Sequence, residues 1–186
     1  MRHPARWAAA AVAFVVVVLG VVLAVNVGSG DSTTGSQQSP FLGKQVPTFD
    51  IPVLSGGTGP RVSNDTTAGK TVIVNFWNTW CIPCRQELPA FQQFFQRHQS
   101  DTDLVIVGIL RDPQESTGTV RAYVTRNGMD WTIASDPGDK AALAFGTRGQ
   151  PETVAVSPSG VVVASKYGPM TLSDLEQFLA AGRRSG

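Results

Sequence analysis

The sequence predicts an α/β domain, a mixed central sheet flanked by helices, with extra N-terminal strands and one transmembrane helix in front of it. Three observations lead there. Short β-branched and aromatic runs alternate with amphipathic segments from Thr71 to Phe145; a hairpin and a last helix follow; and an apolar stretch, Ala8 to Val25, precedes everything. Alternating strands and helices build parallel units, whereas a hairpin adds antiparallel pairs, so the sheet is mixed and covered on both faces.

The N-terminal stretch has no polar side chain over 18 residues, enough for a helix of about 27 Å, close to the hydrocarbon thickness of a bilayer. Arg2 and Arg6 precede it and no Lys or Arg follows until Lys44, which puts Met1 in the cytoplasm and the remainder outside. A cleaved signal peptide is the competing reading, with Val22-Leu23-Ala24 supplying small residues for a peptidase. The apolar stretch is longer than the 7 to 15 residues or so of a signal peptide, which favours a retained anchor. No cysteine lies near its end, so a lipoprotein anchor is excluded. The division is then 1–27 for a cytoplasmic tip and signal-anchor, 28–40 for a flexible Gly/Ser/Thr/Gln linker and 41–186 for the working domain. That places the chain in a cytoplasmic membrane with its C-terminal domain extracytoplasmic, or secreted if the segment is cleaved.

"TFDIPVL" has strand character, "SGGTGPRVSNDTTAGK" is turn-rich with a short strand at Arg61 to Ser63, and "TVIVNFW" suits a central strand. Cys84, Leu88, Phe91 and Phe95 then recur at helical spacing, and Pro89 within that pattern removes one helix hydrogen bond. "DLVIVGIL" reads as a buried strand, "ESTGTVRAYVTRNG" as a helix ending at Gly128, "WTIAS" as a strand and "DKAALAF" as a short helix. "ETVAVSPSGVVVASKYG" is a hairpin turning at Pro158 to Gly160. "TLSDLEQFLAAG" is a helix, capped by Thr171 or Ser173 and ended by Gly182. Trp77, Trp131 and Phe145 are core candidates.

Charge excludes little but points away from some partners. Fifteen basic against fourteen acidic residues give +1, and without Arg2 and Arg6 the net is −1. Neither nucleic acid nor a strongly acidic substrate is indicated.

The chemistry rests on the only two cysteines, Cys81 and Cys84. Structural zinc needs four ligands, and the chain adds only His3 and His98, so no metal is expected. A purely structural disulfide across so short a loop would contribute little stability. A redox pair explains the position too. A strand delivers the chain to Cys81 and a helix starts directly after it, so unpaired N–H groups and the helix dipole favour a thiolate there. Pro83 fits the first turn, where a missing N–H costs nothing. Cys84 lies one turn in, on the apolar face. Cys81 is therefore expected as the exposed, attacking sulfur and Cys84 as the more buried, resolving one.

"NFWNTWCIPCRQELPAF" resembles the active-site segment of thioredoxin-fold proteins, and more narrowly the membrane-tethered TlpA/ResA/CcmG (DsbE) group. Trp80 before the motif agrees, as does "GQPETVAVSPSG", which is similar to the segment carrying the family's cis-proline. Pro151 would be that proline, 67 residues after Cys84. "VPTFDIPVL" is similar to the group's extra N-terminal strand, and the likeness runs from about Val46 to Leu179. It implies a thioredoxin-like fold, a thiol-disulfide oxidoreductase that needs no cofactor, a Cys81–Cys84 redox disulfide, and client contacts at Trp80, Pro83, Gln150 and Pro151.

Glu87, three residues after Cys84, shares its helix face. It matches a glutamate of the ResA-like group that passes the proton of the buried thiol; by spacing alone it reads equally as a solvated helix residue. Thioredoxins carry a buried aspartate six residues before the first cysteine, where this chain has Asn75, which cannot exchange a proton. Gln150 departs from the Thr, Val or Ala usual before the cis-proline. Glu152 either tunes acidity beside the cysteines or is an exposed strand-end residue. The implied partners are client protein cysteines, apocytochrome c foremost, and a membrane thiol-disulfide electron donor, with the chain acting as a monomeric reductant in cytochrome c maturation. Two alternatives stand: an oxidant that inserts disulfides into secreted proteins, and a Cu(I)-binding metallochaperone, for which neither Met129 nor Met170 lies in a ligand motif. A peroxidase of peroxiredoxin type would need Thr-x-x-Cys, and Asn78 occupies that position.

Overall fold

Seven strands hydrogen-bond in the order β2-β1-β5-β4-β3-β6-β7, and the apolar runs of the sequence supply the middle of that sheet. In the computed structural model, residues 39–57 and 59–186, with 14, 15, 17 and 18, are described. The elements are β1 (Asp50–Ser55), β2 (Arg61–Ser63), α1 (Asn64–Thr67), β3 (Thr71–Trp77), α2 (Ile82–His98), β4 (Leu104–Arg111), α3 (Thr117–Arg126), β5 (Thr132–Asp136), α4 (Lys140–Ala144), β6 (Glu152–Val156), β7 (Val162–Tyr167) and α5 (Leu172–Arg184). Apart from residues 14, 15, 17 and 18, the expected anchor, and all of the linker but Ser39 and Pro40, lie outside the described residues. No helix among the described residues is long and apolar enough to cross a membrane.

β3 is buried along its whole length. It runs parallel to β4, from Thr71 opposite Leu104 to Trp77 opposite Leu110, and antiparallel to β6, with Asn75 opposite Thr153. Alternation along the strand sends Ile73 and Trp77 to one face and Val72, Val74 and Phe76 to the other. The first face is covered by α2, α3 and α5, through Phe91 and Phe94, Val120 and Val124, and Leu175 and Leu179. The second packs on α4 and on the segment leading into β1, where Phe145 sits edge-on to Phe76 and Phe49, ring centroids 5.3 and 5.7 Å away. Each such buried ring contributes about 1.5–3 kcal/mol. Trp131 and Phe145, expected in the core, are both buried.

Gly108 of β4 lies opposite Asn75, between the two core tryptophans. A Cβ there would stand 2.9 Å from Ile133 Cδ1, 3.1 Å from Trp77 Nε1 and 3.3 Å from Trp131 Nε1. The mixed sheet and its covering helices follow the expected order, and three local expectations need correction. The turn-rich segment after β2 contains a helical turn, α1, because Ser63 and Thr66 form a reciprocal capping box. Gly182 does not end α5, which runs on to Arg184 from its N-cap Thr171. The glycine is there for close packing: a Cβ would fall 2.3 Å from Thr71 Cγ2 on β3. In α2 the deepest positions are Glu87, Phe91 and Phe94, while Leu88 and Phe95 are only half-buried, because the helix turns its Cys84-Glu87 side to the sheet. α2 also continues past Pro89 to His98 as one helix. Its last turn is tied down by His98, which contacts Asp101 (2.8 Å) and Glu176 of α5 (3.1 Å).

Candidate active site

β3 ends at Trp77, and the turn Asn78-Thr79-Trp80 hands the chain to α2. That turn is held by its own polar groups. Asn78 Nδ2 donates to the Arg111 carbonyl at 2.8 Å, Arg85 Nε to the Thr79 carbonyl at 3.0 Å, and the Thr79 hydroxyl donates to Glu115. Asn78 is thus occupied as a brace for the loop after β4.

Cys81 is the N-cap of α2, with Pro83 in the first turn, and its sulfur is bonded to that of Cys84. The Cys84 N–H donates to Cys81 Sγ at 3.2 Å. An N-cap acceptor satisfies one of the orphan N–H groups of the helix, and here a sulfur takes the place usually held by a Ser or Asp oxygen. The expected contrast in exposure is absent: Cys81 is 4 % exposed and Cys84 7 %. The S–S bond draws both sulfurs to the inner side of the turn, into the apolar cluster with Trp77, Phe91 and Phe94. What distinguishes the two cysteines is the hydrogen bond, and the outer surface belongs to exposed Trp80, Ile82 and Pro83.

Glu87 is only 2 % exposed, so the solvated-helix reading is wrong. One carboxyl oxygen accepts from Asn75 Nδ2 at 2.9 Å, and the other from the Met170 N–H at 2.9 Å. Burial pushes its pKa up to about 7; the Met170 and Asn75 hydrogen bonds and the charge of Lys166 oppose that rise without cancelling it. A carboxyl on the Cys84 side of α2 therefore titrates near neutrality. Met170, which no motif marked, lies beside the site through this contact and packs in the same apolar cluster as the cysteines.

The Gln150–Pro151 bond is cis. Pro151 is buried, and its carbonyl accepts from Gly168 N–H at 2.9 Å. Gln150 is half-buried and lines an open groove of about 420 Å³ with Trp80, Asn78, Arg111 and Gly149. Of the expected client contacts, Trp80 and Gln150 share that groove, whereas Pro83 and Pro151 are outside its lining. Glu152 is 1 % exposed, accepts from Arg148 N–H at 3.0 Å and lies 3.6 Å from its guanidinium. Neither reading of Glu152 stands: it is buried, and alternation along β6 turns it to the sheet face opposite Thr153, away from the Glu87 side.

Sequence reasoning missed Thr153, Met170 and Glu115. The signal for the first was Asn75 itself, an amide in a wholly buried strand that has to be hydrogen-bonded. Among the described residues no group of three His, Cys, Asp or Glu side chains is placed to hold a metal ion.

The model of the AhpC/TSA family matches residues 42–165. The thiol-disulfide oxidoreductase ResA of Bacillus anthracis is 28 % identical over 138 residues, covering 74 % of this chain and 76 % of the relative. The thioredoxin-like protein YneN of Bacillus subtilis is 33 % identical over 138 residues, covering 74 % and 78 %. Among solved structures, a thiol:disulfide interchange protein of the thioredoxin family from Chlorobium tepidum TLS superposes with a TM-score of 0.62 at 25 % identity, covering 74 % of this chain and 94 % of that one.

Proposed function

The chain belongs to the AhpC/TSA family as a thioredoxin-fold thiol-disulfide oxidoreductase of the ResA type, and we propose that it works as an extracytoplasmic reductant of client disulfides. The observation that carries the exchange chemistry is the Cys84 N–H directed at Cys81 Sγ at the start of α2; the reducing direction is supported by the likeness to ResA. In the reduced protein the same donor and the helix N-terminus stabilise a Cys81 thiolate, lowering its pKa below the usual value of about 8.5.

The thiolate of Cys81 attacks one sulfur of a client disulfide, forming a mixed disulfide and releasing the other client sulfur as a thiolate. Cys84 then loses its proton to Glu87 and attacks Cys81 Sγ. The client's second sulfur leaves reduced, and the electron pair lost by Cys81 and Cys84 now resides in two client thiols. Glu87 suits this task because its pKa near 7 lets it accept and return a proton at working pH. Trp80 and Gln150, which share the groove, are the contacts for the client, and the family likeness adds Pro83 and the cis Pro151.

The client is apocytochrome c before haem attachment, and a membrane thiol-disulfide donor re-reduces the pair. The resemblance to the ResA-like group supports this assignment, as does the apolar stretch Ala8 to Val25, which as a retained anchor leaves 28–40 as a tether and 41–186 outside the cytoplasm as a monomeric domain. Changing Cys84 to Ser stops the reaction at the mixed disulfide on Cys81. Capture of apocytochrome c on that variant supports the proposal; capture of a broad spread of secreted proteins, or a reduction potential above about −180 mV, contradicts it.

A further inference from the structure

Asn75 is 6 % exposed and Thr153, its antiparallel partner in register on β6, is fully buried. Asn75 Nδ2 donates in two directions at once, to Glu87 Oε1 at 2.9 Å and to Thr153 Oγ1 at 3.0 Å. Its backbone is fixed on both sides, by Gly108 of β4 and Thr153 of β6. The two side chains thus form a cross-strand bracket at the centre of the sheet that reaches one carboxyl on the covering helix.

We propose that Asn75, braced by Thr153, is a positioning residue that keeps the Glu87 carboxyl oriented while it passes between its ionised and protonated forms. The inference rests on the reading that Glu87 handles the Cys84 proton. An amide suits the task because it cannot take the proton itself. Its NH₂ group donates to a carboxylate, and after rotation its oxygen accepts from a carboxylic O–H. An aspartate at the same place would set a second negative charge 12 residues away in sequence but in direct contact with Glu87. Thr153 limits the other freedom: it holds the amide along the line joining the two strands. The Met170 N–H completes the carboxyl's environment from the chain leading into α5. The other groups facing Glu87 are Cys84 on its own helix and Lys166 on β7, which pairs with Asp174 of α5 at 2.6 Å.

The test uses the full-length chain. Carbon-detected NMR follows the Glu87 carboxyl through a pH titration of the oxidised protein, and the pH profile of Cys84 alkylation is recorded in the reduced Cys81→Ser background. Asn75→Leu removes the donor at similar volume and raises the Glu87 midpoint by about one to two units, the worth of a hydrogen bond to a charged group. The Cys84 profile moves with it. Thr153→Val raises both by less, and Thr153→Ser restores the wild-type values. A midpoint unmoved by Asn75→Leu and Thr153→Val overturns the inference; should Asn75→Leu not fold, Thr153→Val against Thr153→Ser decides it. Glu87→Gln separates the two ideas. A Cys84 profile indifferent to Glu87 sinks the proton-transfer reading, while one that responds to Glu87 but not to Asn75 or Thr153 sinks the positioning role alone.

Discussion

The backbone N–H of Cys84 points at the sulfur of Cys81 from 3.2 Å. Both cysteines are buried in the disulfide, so the roles proposed for them rest on this donor and on the helix N-terminus rather than on unequal exposure. Negative charge is favoured at Cys81, which makes it the better leaving group when Cys84 attacks and the better nucleophile when the pair is reduced.

Burial of Glu87 has a cost that depends on pH. Its folded pKa of about 7 lies above the ordinary carboxyl value of 4.5, so the native state binds the extra proton. Its contribution to stability is complete below about pH 4.5 and is lost as pH rises through about 7, by roughly 3 kcal/mol. Glu87→Gln removes that slope, with the Asn75 amide turning to accept from the new NH₂ group. In denaturant unfolding of the oxidised protein, the difference between wild type and variant shifts in the variant's favour from pH 5 to 8. A difference independent of pH contradicts the account.

Gly182→Ala forces a methyl against Thr71 Cγ2 across the α5–β3 contact. Overpacking of this kind costs about 1–3 kcal/mol. Thr71→Val acts in the opposite sense, because the Thr71 hydroxyl is buried with no hydrogen-bond partner among the described residues. Replacing it by a methyl of the same shape is neutral or stabilising by about 1 kcal/mol. Thermal unfolding of the two variants checks both signs.

Glu152 holds the segment that carries Gln150 and Pro151 through the Arg148 N–H. Glu152→Ala removes the acceptor of the Arg148 N–H and destabilises the fold by about 1–3 kcal/mol, as expected for a lost hydrogen bond to a buried carboxylate. Glu152→Gln keeps an acceptor for the N–H and loses less. Equal unfolding midpoints for the Ala and Gln variants contradict this role.

The order of strands and helices was legible because each run carries its own periodicity and its own punctuation: Val72–Trp77 is uniformly apolar apart from Asn75, and Pro158 to Gly160 marks the hairpin. The cysteine pair was legible because a strand and a helix start frame it. What was not legible lay in tertiary contacts. Glu87 meets Met170 across 83 residues and Thr153 meets Asn75 across 78, and no local pattern encodes either. Gly182 has the composition of a helix stop, but the nearness of Thr71 decides its role. Glu152 stands at a strand end yet is enclosed, because β6 lies between two other strands.

The most direct test of the central claim is pulsed alkylation of the reduced full-length chain across a pH series, with labelling at each cysteine read by peptide mass spectrometry. Cys81 is expected to label first, its rate half-maximal well below the ordinary thiol pKa of about 8.5, with Cys84 following only at higher pH. Half-maximal labelling of Cys81 at or above about 8.5, or faster labelling of Cys84, would contradict the account.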